Sequence, residues 1–338
     1  MGSIYKKKGK KIMQQINIDE NEAGQRLDKF LHKFMPLAAS SFFYKMLRKK
    51  NITLNGKKAE GKEKLVKGDV VCLYLSDDTI LHFRKDSVET AEYDEAYKTL
   101  KGIEVVYEDK NVMVVNKPAG ILSQKAAAED KSVNEWLIGY LLKTGAINEM
   151  QLSTYKPSVC NRLDRNTFGL VIGAKSLAGS QKISSLLKNR EIRKFYRMFV
   201  KGRVVQEELL EGRLVKDEEN NKSYLVKGND GQDGSLIKTR YYPISHFLDR
   251  TLVEAELITG KPHQLRIHMA SIGHPVLGDY KYGDRSWNDR YKREYEINNQ
   301  LLCACRLEFP KLEGDFAPLS QKVIEISLPK EFRMLVHV

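Results

Sequence analysis

Predicted strands and helices follow one another irregularly after residue 101, and this order constrains the fold more than any other feature of the chain. Apolar and β-branched residues predict strands at 112–115, 195–200, 225–226, 237–242 and 252–257. Apolar residues at helical spacing predict helices at 133–143, 177–187 and 263–272. These helices do not alternate with the strands as they do in a doubly wound parallel sheet. The order therefore predicts an α+β domain with a large mixed or antiparallel sheet.

Composition divides the chain into four segments, and its 338 residues are enough for two or three domains. Residues 1–14 are basic and are predicted to be a flexible arm, in which Met13 is an alternative start. Residues 15–78 are predicted to form a small module. Residues 79–100 are predicted to be a linker, because charged residues and threonine dominate and apolar periodicity is lost. The main domain is expected at 101–338.

The small module is predicted to contain two helices followed by a turn-rich β segment. The first helix has an apolar face that consists of Leu27, Phe30, Leu31 and Phe34. Ser40 or Ser41 is predicted to cap the second helix. The pair Asn55-Gly56 after a short strand predicts a tight hairpin turn.

The chain carries 57 Lys and Arg against 44 Asp and Glu, a formal net charge of +13. An excess of this size indicates a polyanionic partner such as RNA. Part of the excess lies in the small module, in a basic cluster that consists of Lys45, Arg48, Lys49, Lys50, Lys57 and Lys58. The alternative is that this cluster is an ordinary solvated face. The order of helix, helix and Asn-Gly turn around it favours RNA binding.

Membrane and metal-binding classes receive little support. No apolar stretch approaches the ~20 residues of a membrane span, and no apolar run follows the basic start as in a signal peptide. The cysteines form no CxxC pair, and His263 and His268 are five positions apart rather than four. We therefore expect a cytoplasmic protein without a metal, in which both histidines fix the helix that carries Arg266.

A polar loop at residues 161–169 places Asp164 between Arg162 and Arg165, just before an apolar run. Positive charge on both sides favours an ionised carboxylate, which suits a nucleophile or an electrostatic stabiliser better than a general acid. An isolated Arg-x-Asp is usually a surface ion pair. The triplet Arg26-Leu27-Asp28 repeats this pattern. There Leu27 lies on the apolar helix face and Asp28 in the first turn, so we interpret that copy as structural.

Four segments, in this order, resemble those of the RluA-type pseudouridine synthases, which isomerise uridine in RNA. They are Asn116-Lys117-Pro118-Ala119-Gly120, the loop at 161–169, Lys194-Phe195-Tyr196, and residues 259–268 with Gly273-His274-Pro275 and Gly278-Asp279 after them. The resemblance extends from residue 101 to the end of the chain. The small module resembles the alpha-L RNA-binding domain, which occurs in a ribosomal protein and in many RNA-modifying enzymes.

The resemblance implies an extended sheet with a central cleft. It also implies a reaction that breaks the N1 glycosidic bond of uridine, turns the uracil and rejoins it through C5. No cofactor is expected, because the reaction has no redox change and loses no group. Asp164 would be the catalytic carboxylate, Arg266 its ion-pair partner, and Tyr196 the residue that stacks on the base and whose hydroxyl helps remove the C5 proton. The cations expected beside the cleft are Arg162, Arg165, Lys194 and Lys261.

The resemblance also bears on the substrate. Relatives with such an N-terminal module often act on large-subunit ribosomal RNA, so we expect ribosomal RNA rather than transfer RNA, and a monomer. This chain departs from the family in three places. The family often has His where Asn161 stands, a small residue where Phe168 stands and His where Cys303 stands. These departures concern RNA contacts and site preference, because none replaces a residue that the chemistry needs.

Two other classes of function remain open. One is a catalytically silent RNA-binding or ribosome-assembly protein, which is disfavoured because Asp164, Tyr196 and Arg266 are all present. The other is a hydrolase with a carboxylate pair, such as a glycosidase. It would need a second catalytic carboxylate, and no acidic residue beside the other motifs is a candidate for that role.

Overall fold

The computed structural model describes residues 6–7, 10–11, 14–19, 21–84, 90–217, 222–226 and 234–336. These residues form two compact units. The first consists of the described parts of Met1–Thr99 together with Asn134–Ser158 and Ala174–Gln181. The second consists of the described parts of Leu100–Val133, Val159–Gly173 and Lys182–Val338.

The first unit contains short strands and short helices. Its strands are β1 (Lys6–Lys7), β2 (Lys10–Lys11), β3 (Gln14–Asn17), β4 (Ile52–Leu54), β5 (Lys57–Lys58) and β6 (Val70–Leu73). Its helices are α1 (Leu27–Phe34), α2 (Ser40–Arg48), α3 (Asp77–Phe83), α4 (Ala91–Thr99), most of α5 (Val133–Lys143) and α6 (Glu149–Thr154). The strands β3, β6, β4 and β5 form one antiparallel sheet in that order, and β1 pairs with β2.

The two helices of the small module form where the sequence predicts them. The apolar face of α1 is buried in full, as predicted, and packs in one core with Phe43 and Leu47 of α2. The predicted cap of α2 is wrong, because the N-cap residue is Ala39 and the helix already contains Ser40. The turn at Asn55-Gly56 is confirmed, with φ values of 52° and 73° that suit a hairpin turn.

The segment predicted to be a linker is partly helical, contrary to expectation. Helix α3 begins after Ser76, whose hydroxyl accepts a hydrogen bond from the Thr79 backbone at 3.3 Å. Helix α4 buries Tyr93 and Ala96, and it packs closely against Gly139 of α5. Too few apolar residues are involved to give a periodic signal in the sequence. Most of the predicted flexible arm lies outside the described residues, but its described lysines pair as β1 and β2.

The remaining elements include a single large sheet. Its strands are β7 (Glu104–Glu108), β8 (Val112–Lys117), β9 (Ser158–Val159), β10 (Phe168–Ala174), β11 (Arg193–Lys201), β12 (Glu208–Asp217), β13 (Lys222–Val226), β14 (Ser235–His246), β15 (Arg250–Leu257), β16 (Leu302–Glu308) and β17 (Val323–Glu325). The helices are α7 (Leu177–Lys188), α8 (Gln264–Ser271), α9 (Arg285–Tyr295) and α10 (Lys330–Val336), with a 3₁₀ helix at Gly314–Leu319.

The strand order confirms the predicted α+β class. The order is β13, β12, β14, β15, β11, β16, β10, β8 and β7, with β17 beside β16 and β9 beside β10. Strand β10 runs parallel to β16, whereas β11 is antiparallel to both β15 and β16. The sheet is therefore mixed. Alternation along β11 places Lys194 and Tyr196 on one face and Phe195 on the other.

The central strand β10 begins directly after the loop that carries Asp164. All seven of its residues are buried, which explains the continuous apolar run in the sequence. Gly169 has a φ of +114°, and a Cβ built there would lie 2.2 Å from the carbonyl oxygen of Ala304 in β16. The backbones of the two strands therefore approach more closely at this point than any other residue type allows.

We expect Gly169→Ala to lower the free energy of unfolding by at least about 2 kcal/mol, because a steric clash adds to backbone strain. Gly273→Ala is the matched control. Gly273 also has a positive φ, +82°, but a Cβ there meets nothing within 4 Å. Its cost should be strain alone, roughly 1–2 kcal/mol. Urea denaturation of the two variants measures the difference, and equal losses would contradict the close approach of β10 and β16.

Candidate active site

A cleft of about 650 Å³ lies in the second unit. Three polar segments line it, residues 122–126 after β8, residues 160–165 before β10, and residues 260–266 at the start of α8. Lys194 and Tyr196 line it from β11. The structure thus brings Asp164, Tyr196 and Arg266 into one cleft, together with the four cations that the sequence analysis assigned to it.

Lys117, at the end of β8, fixes the loop that carries Asp164. The side chain is fully buried, and its ammonium donates hydrogen bonds to the carbonyl oxygens of Pro118 at 3.0 Å, Ile121 at 2.9 Å and Arg165 at 3.0 Å. Burial lowers the pKa of Lys117 to about 7. The three acceptors nevertheless match the three N–H donors of the charged form. No role of Lys117 is predicted from the sequence, although a lysine at the end of a mostly apolar strand is a usable signal.

Ser123 holds the same loop from the next segment of the chain. Its hydroxyl donates to the Leu163 carbonyl oxygen at 3.0 Å and accepts from the Leu163 amide at 2.9 Å. The backbone N–H of Gly120 donates to the carbonyl oxygen of Arg165 at 2.9 Å. The residues on either side of Asp164 are therefore fixed through their backbones.

Arg266 lies between two carboxylates. Its Nη1 donates to Asp164 Oδ2 at 2.9 Å, which is the ion pair that the sequence analysis predicted. Its Nε and Nη2 each donate to one oxygen of Asp279 at 2.8 Å. The second pairing uses the two-pronged geometry that guanidinium and carboxylate groups favour. Asp279 belongs to a motif of the sequence, but its pairing with Arg266 is visible only in the structure.

Burial and charge act in opposite directions on this ion-pair chain. Burial tends to raise the pKa of the Asp279 carboxyl, but hydrogen bonds and charge from Arg266 outweigh burial and hold the pKa below its usual value. Backbone N–H groups of Lys281 and Tyr282 also donate to Asp279, at 2.9 Å and 3.1 Å. Burial tends to lower the pKa of Arg266, whereas Asp279 and Asp164 raise it, and the net shift is upward. The arginine is therefore charged, and Asp279 is its buried counter-ion.

Arg162 and Arg165 flank Asp164 in the sequence, but neither forms an ion pair with its carboxylate among the described residues. Among the described residues, the Asp164 carboxylate pairs with the Arg266 guanidinium and lies 3.8 Å from His263 Nε2, whereas the Arg165 guanidinium lies 3.7 Å from Asp130. Neighbouring residues in an extended loop point in different directions, so adjacency in sequence does not produce a contact. Arg162 and Arg165 are exposed at the cleft and remain candidates for contact with RNA.

The other Arg-Leu-Asp triplet has the opposite geometry, which supports its structural interpretation. There Arg26 pairs with Asp28 directly, with Nη2 and Oδ2 2.6 Å apart, and the Tyr44 hydroxyl donates to the same carboxylate at 3.1 Å. Both carboxylate oxygens of Asp28 accept hydrogen bonds from residues of the same module.

The two histidines of the long motif have different surroundings. His268 is fully buried, and its Nδ1 lies 2.9 Å from the Thr239 hydroxyl of β14, so it helps to hold α8 on the sheet. Burial lowers the pKa of His268 to about 4. His263 lies in the cleft instead, with Nε2 3.8 Å from Asp164 Oδ2. The prediction that the His263 side chain fixes the helix is not supported, because this side chain makes no capping hydrogen bond to α8.

Tyr196 is buried at the inner wall of the cleft. Burial raises the pKa of its hydroxyl, and the negative charge of Asp164 raises it further. The hydroxyl is therefore protonated in the free protein. Lys194, on the same face of β11, is half-buried, and its pKa is lowered by burial and by the nearby charge of Arg190. Lys261 is exposed at the cleft.

The three departures from the family pattern have structural explanations. Asn161 accepts a hydrogen bond from the Ile172 amide at 2.7 Å and so holds the loop against β10. Phe168 and Cys303 are direct partners in the parallel pairing of β10 and β16, and both belong to one buried core with Phe332. A large residue on one strand therefore faces a small one on the other. Two of the three departures are thus matters of core packing rather than of RNA contact.

The remaining predicted RNA-binding residues lie in the first unit. Lys45, Arg48, Lys49 and Lys57 are all exposed there. Within the described ranges, no group of three or more His, Cys, Asp and Glu residues is arranged to hold a metal ion. Among the described helices, none has both the length and the apolar character that a membrane span requires.

Comparisons with known proteins agree on one family. The sequence profile of the RNA pseudouridylate synthase family matches residues 111–271. The ribosomal large subunit pseudouridine synthase C of Rickettsia bellii is 32% identical over 269 residues, which cover 77% of this chain and 83% of that protein. The protein of the same name from Vibrio vulnificus is 29% identical over 324 residues, which cover 94% of this chain and 93% of that protein.

A solved structure supports the fold. Human RNA pseudouridylate synthase domain containing 4 superimposes with a TM-score of 0.57 and 22% sequence identity. The match covers 73% of this chain and 96% of that one. At this level of identity the likeness concerns the fold alone.

We expect Asp279→Asn to destabilise the protein by about 3–5 kcal/mol at neutral pH, because Arg266 then loses its buried counter-ion. The pKa of Asp279 is lower in the folded chain than its ordinary value of 3.8. Its stabilising contribution is therefore present above that ordinary value and is lost as the pH falls through the folded value.

Guanidinium denaturation of wild type and variant at a series of pH values measures this contribution. The difference between the two proteins should be constant near neutrality and should shrink below about pH 4. Asp289→Asn is the control, since the Asp289 side chain is 47% exposed and its loss should cost less than about 1 kcal/mol. A difference for Asp279→Asn that stays unchanged down to about pH 3 would contradict the ion pair.

Proposed function

The chain belongs to the RNA pseudouridylate synthase family, and from that premise we propose that it isomerises uridine in large-subunit ribosomal RNA with Asp164 as the reacting carboxylate. The observation that carries the proposal is the Asp164 carboxylate, which Arg266 holds at 2.9 Å in a cleft lined by cations. A charge-assisted hydrogen bond of this kind fixes the direction of the carboxylate without consuming it.

The reaction needs an anionic group beside the bond between sugar and base. Asp164 can attack C1′ of the ribose or stabilise the intermediate that forms when the N1 bond breaks. The uracil then turns, a bond forms between C5 and C1′, the C5 proton leaves and N1 takes one up. No atom is gained or lost overall. The proposal therefore requires neither a cofactor nor a metal.

Tyr196 is proposed to bind the uracil. Its aromatic ring offers a flat apolar face next to Asp164, and its burial in the cleft wall fixes the orientation of that face. Because the pKa of the hydroxyl is raised, any help with removal of the C5 proton comes from the neutral hydroxyl. A uridine in structured RNA must leave its stack to reach this position. Arg162, Arg165, Lys194 and Lys261 are proposed to hold the RNA backbone near the cleft.

The class of RNA is suggested by the relatives. Several proteins similar to this chain are named ribosomal large subunit pseudouridine synthase C. The net charge of +13 suits so large a polyanion. Mapping pseudouridine across cellular RNA in a strain that lacks the gene tests the proposal. Loss of pseudouridine from transfer RNA alone would overturn ribosomal RNA as the proposed substrate, but it would leave the proposed reaction intact.

The basic cluster of residues 15–78 is proposed to add affinity for RNA rather than chemistry, as an alpha-L domain would. Its cations are exposed, and the catalytic residues proposed here all lie in the second unit. We also propose that residues 15–78 form the RNA-binding domain and that residues 101–338 form the catalytic domain.

We expect Asp164→Asn to abolish isomerisation while RNA binding stays within a few-fold of wild type, because the substitution removes the charge and hardly changes the shape. Release of tritium from RNA labelled at uracil C5 measures the reaction. Asp28→Asn, in the same Arg-Leu-Asp context, is the matched control and should retain full turnover on a short stem-loop. Full activity of purified Asp164→Asn would overturn the proposed mechanism.

A second prediction concerns the basic cluster. Replacing Lys45, Arg48, Lys49 and Lys57 by Gln should weaken binding to ribosomal RNA. The dependence of binding on salt should become shallower by roughly 0.7–0.9 in logarithmic slope for each phosphate that the protein no longer neutralises. The control replaces four other exposed cations, Lys292, Arg293, Lys311 and Lys330, and so changes the net charge equally. Equal slopes in the two variants would mean that the cluster is only a solvated face.

A further inference from the structure

His263 has an unusual backbone conformation for a side chain in a cleft. Its φ is 57° and its ψ is 13°, which is the left-handed region. A non-glycine residue in this region is uncommon and strained, and such residues cluster at functional sites. The side chain makes no capping hydrogen bond to α8. The strain is therefore not explained by the start of the helix.

Tyr282 and Asp164 together determine how the His263 ring is protonated. The Tyr282 hydroxyl lies 3.0 Å from Nδ1, and Asp164 Oδ2 lies 3.8 Å from Nε2. A lone pair on Nε2 would face a carboxylate, so the favoured arrangement has Tyr282 donating to Nδ1 and a proton on Nε2. Burial lowers the pKa of His263, the charge of Asp164 raises it, and Arg266 lowers it, with a net lowering. The ring is therefore neutral, with a single N–H directed towards Asp164.

The distance between these two groups leaves room for one more partner. A separation of 3.8 Å is too long for a hydrogen bond. An oxygen atom beside the pair can lie about 2.8 Å from both Nε2 and Oδ2, which is the usual distance for each bond. That atom must accept from Nε2–H and donate to the carboxylate. A hydroxyl group does both, whereas a carbonyl oxygen or a phosphate does only one.

We propose that His263, oriented by Tyr282, and Asp164 together bind the 2′-hydroxyl of the target nucleotide, so that this subsite selects ribose over deoxyribose. The inference rests on the proposed function, since it places the sugar of a uridine at Asp164. C1′ and C2′ are neighbouring ring carbons. A carboxylate that acts at C1′ therefore has the 2′-hydroxyl within reach. This hydroxyl is the group that distinguishes RNA from DNA.

The test compares two proteins, wild type and His263→Asn, on two RNA substrates. A stem-loop RNA carries either uridine or 2′-deoxyuridine, labelled with tritium at C5, at the target position only. Single-turnover kcat/KM is measured for wild type and for His263→Asn. Asparagine tolerates a positive φ and is too short to reach the hydroxyl. Any intrinsic effect of the missing hydroxyl on the chemistry is common to both proteins and cancels in the comparison.

We expect the preference of wild type for uridine over 2′-deoxyuridine to be about tenfold greater than that of His263→Asn. Tyr282→Phe keeps His263 but loses the orienting hydroxyl, and its preference should fall between the two. Glu296→Asn is the matched control. Glu296 has the same φ of 57° at the end of α9, outside the lining of the cleft, and its replacement should leave the preference unchanged.

Equal preferences in wild type, His263→Asn and Tyr282→Phe would overturn the inference and leave the proposed function intact. If His263→Asn fails to fold, Tyr282→Phe alone decides, and an unchanged preference in that variant overturns the inference. Failure of wild type to isomerise the all-ribose RNA would overturn the proposed function itself. The two failures are therefore distinguishable in the same assay.

Discussion

The site depends on one buried guanidinium. Arg266 is charged, and an ion removed from water is tolerated only when its hydrogen bonds and its charge are satisfied. Both oxygens of Asp279 accept hydrogen bonds from Arg266 and balance its charge. Two backbone N–H groups in turn donate to Asp279. Nη1 of Arg266, which Asp279 does not use, donates to Asp164. The direction of the Asp164 carboxylate is thus set by a neighbour that cannot move without breaking its buried ion pair with Asp279.

A second constraint acts from the opposite side of the loop. Lys117 joins the end of β8 to the carbonyl oxygen of Arg165, the residue that follows Asp164. Gly169 then lets β10 pass within contact distance of the β16 backbone. The loop is therefore fixed by a buried ammonium before it and a close strand approach after it. A carboxylate on a loop held in this way loses little entropy when it adopts the orientation that the proposed reaction needs.

Much of the fold could be predicted from local pattern. The apolar face of α1 and the buried run of β10 carry their own periodicity, so their positions follow from hydrophobic burial. Helix α4 could not be predicted in this way, because it buries only Tyr93 and Ala96 against neighbours that are distant in sequence. The N-cap of α2 also differed, since a cap depends on backbone geometry that the serines alone do not specify.

The sequence by itself determined the family, the α+β class and the identity of Asp164, Tyr196 and Arg266 as the residues of interest, because these follow from residue types at fixed spacings. Only the tertiary structure decided what each residue contacts. Asp164 is paired with Arg266, 102 positions away, rather than with the arginines beside it. Asp279, His263 and Lys117 acquire their roles only through folding. A charge is stabilised by groups that are near in space, and nearness in space is a property of the packed chain.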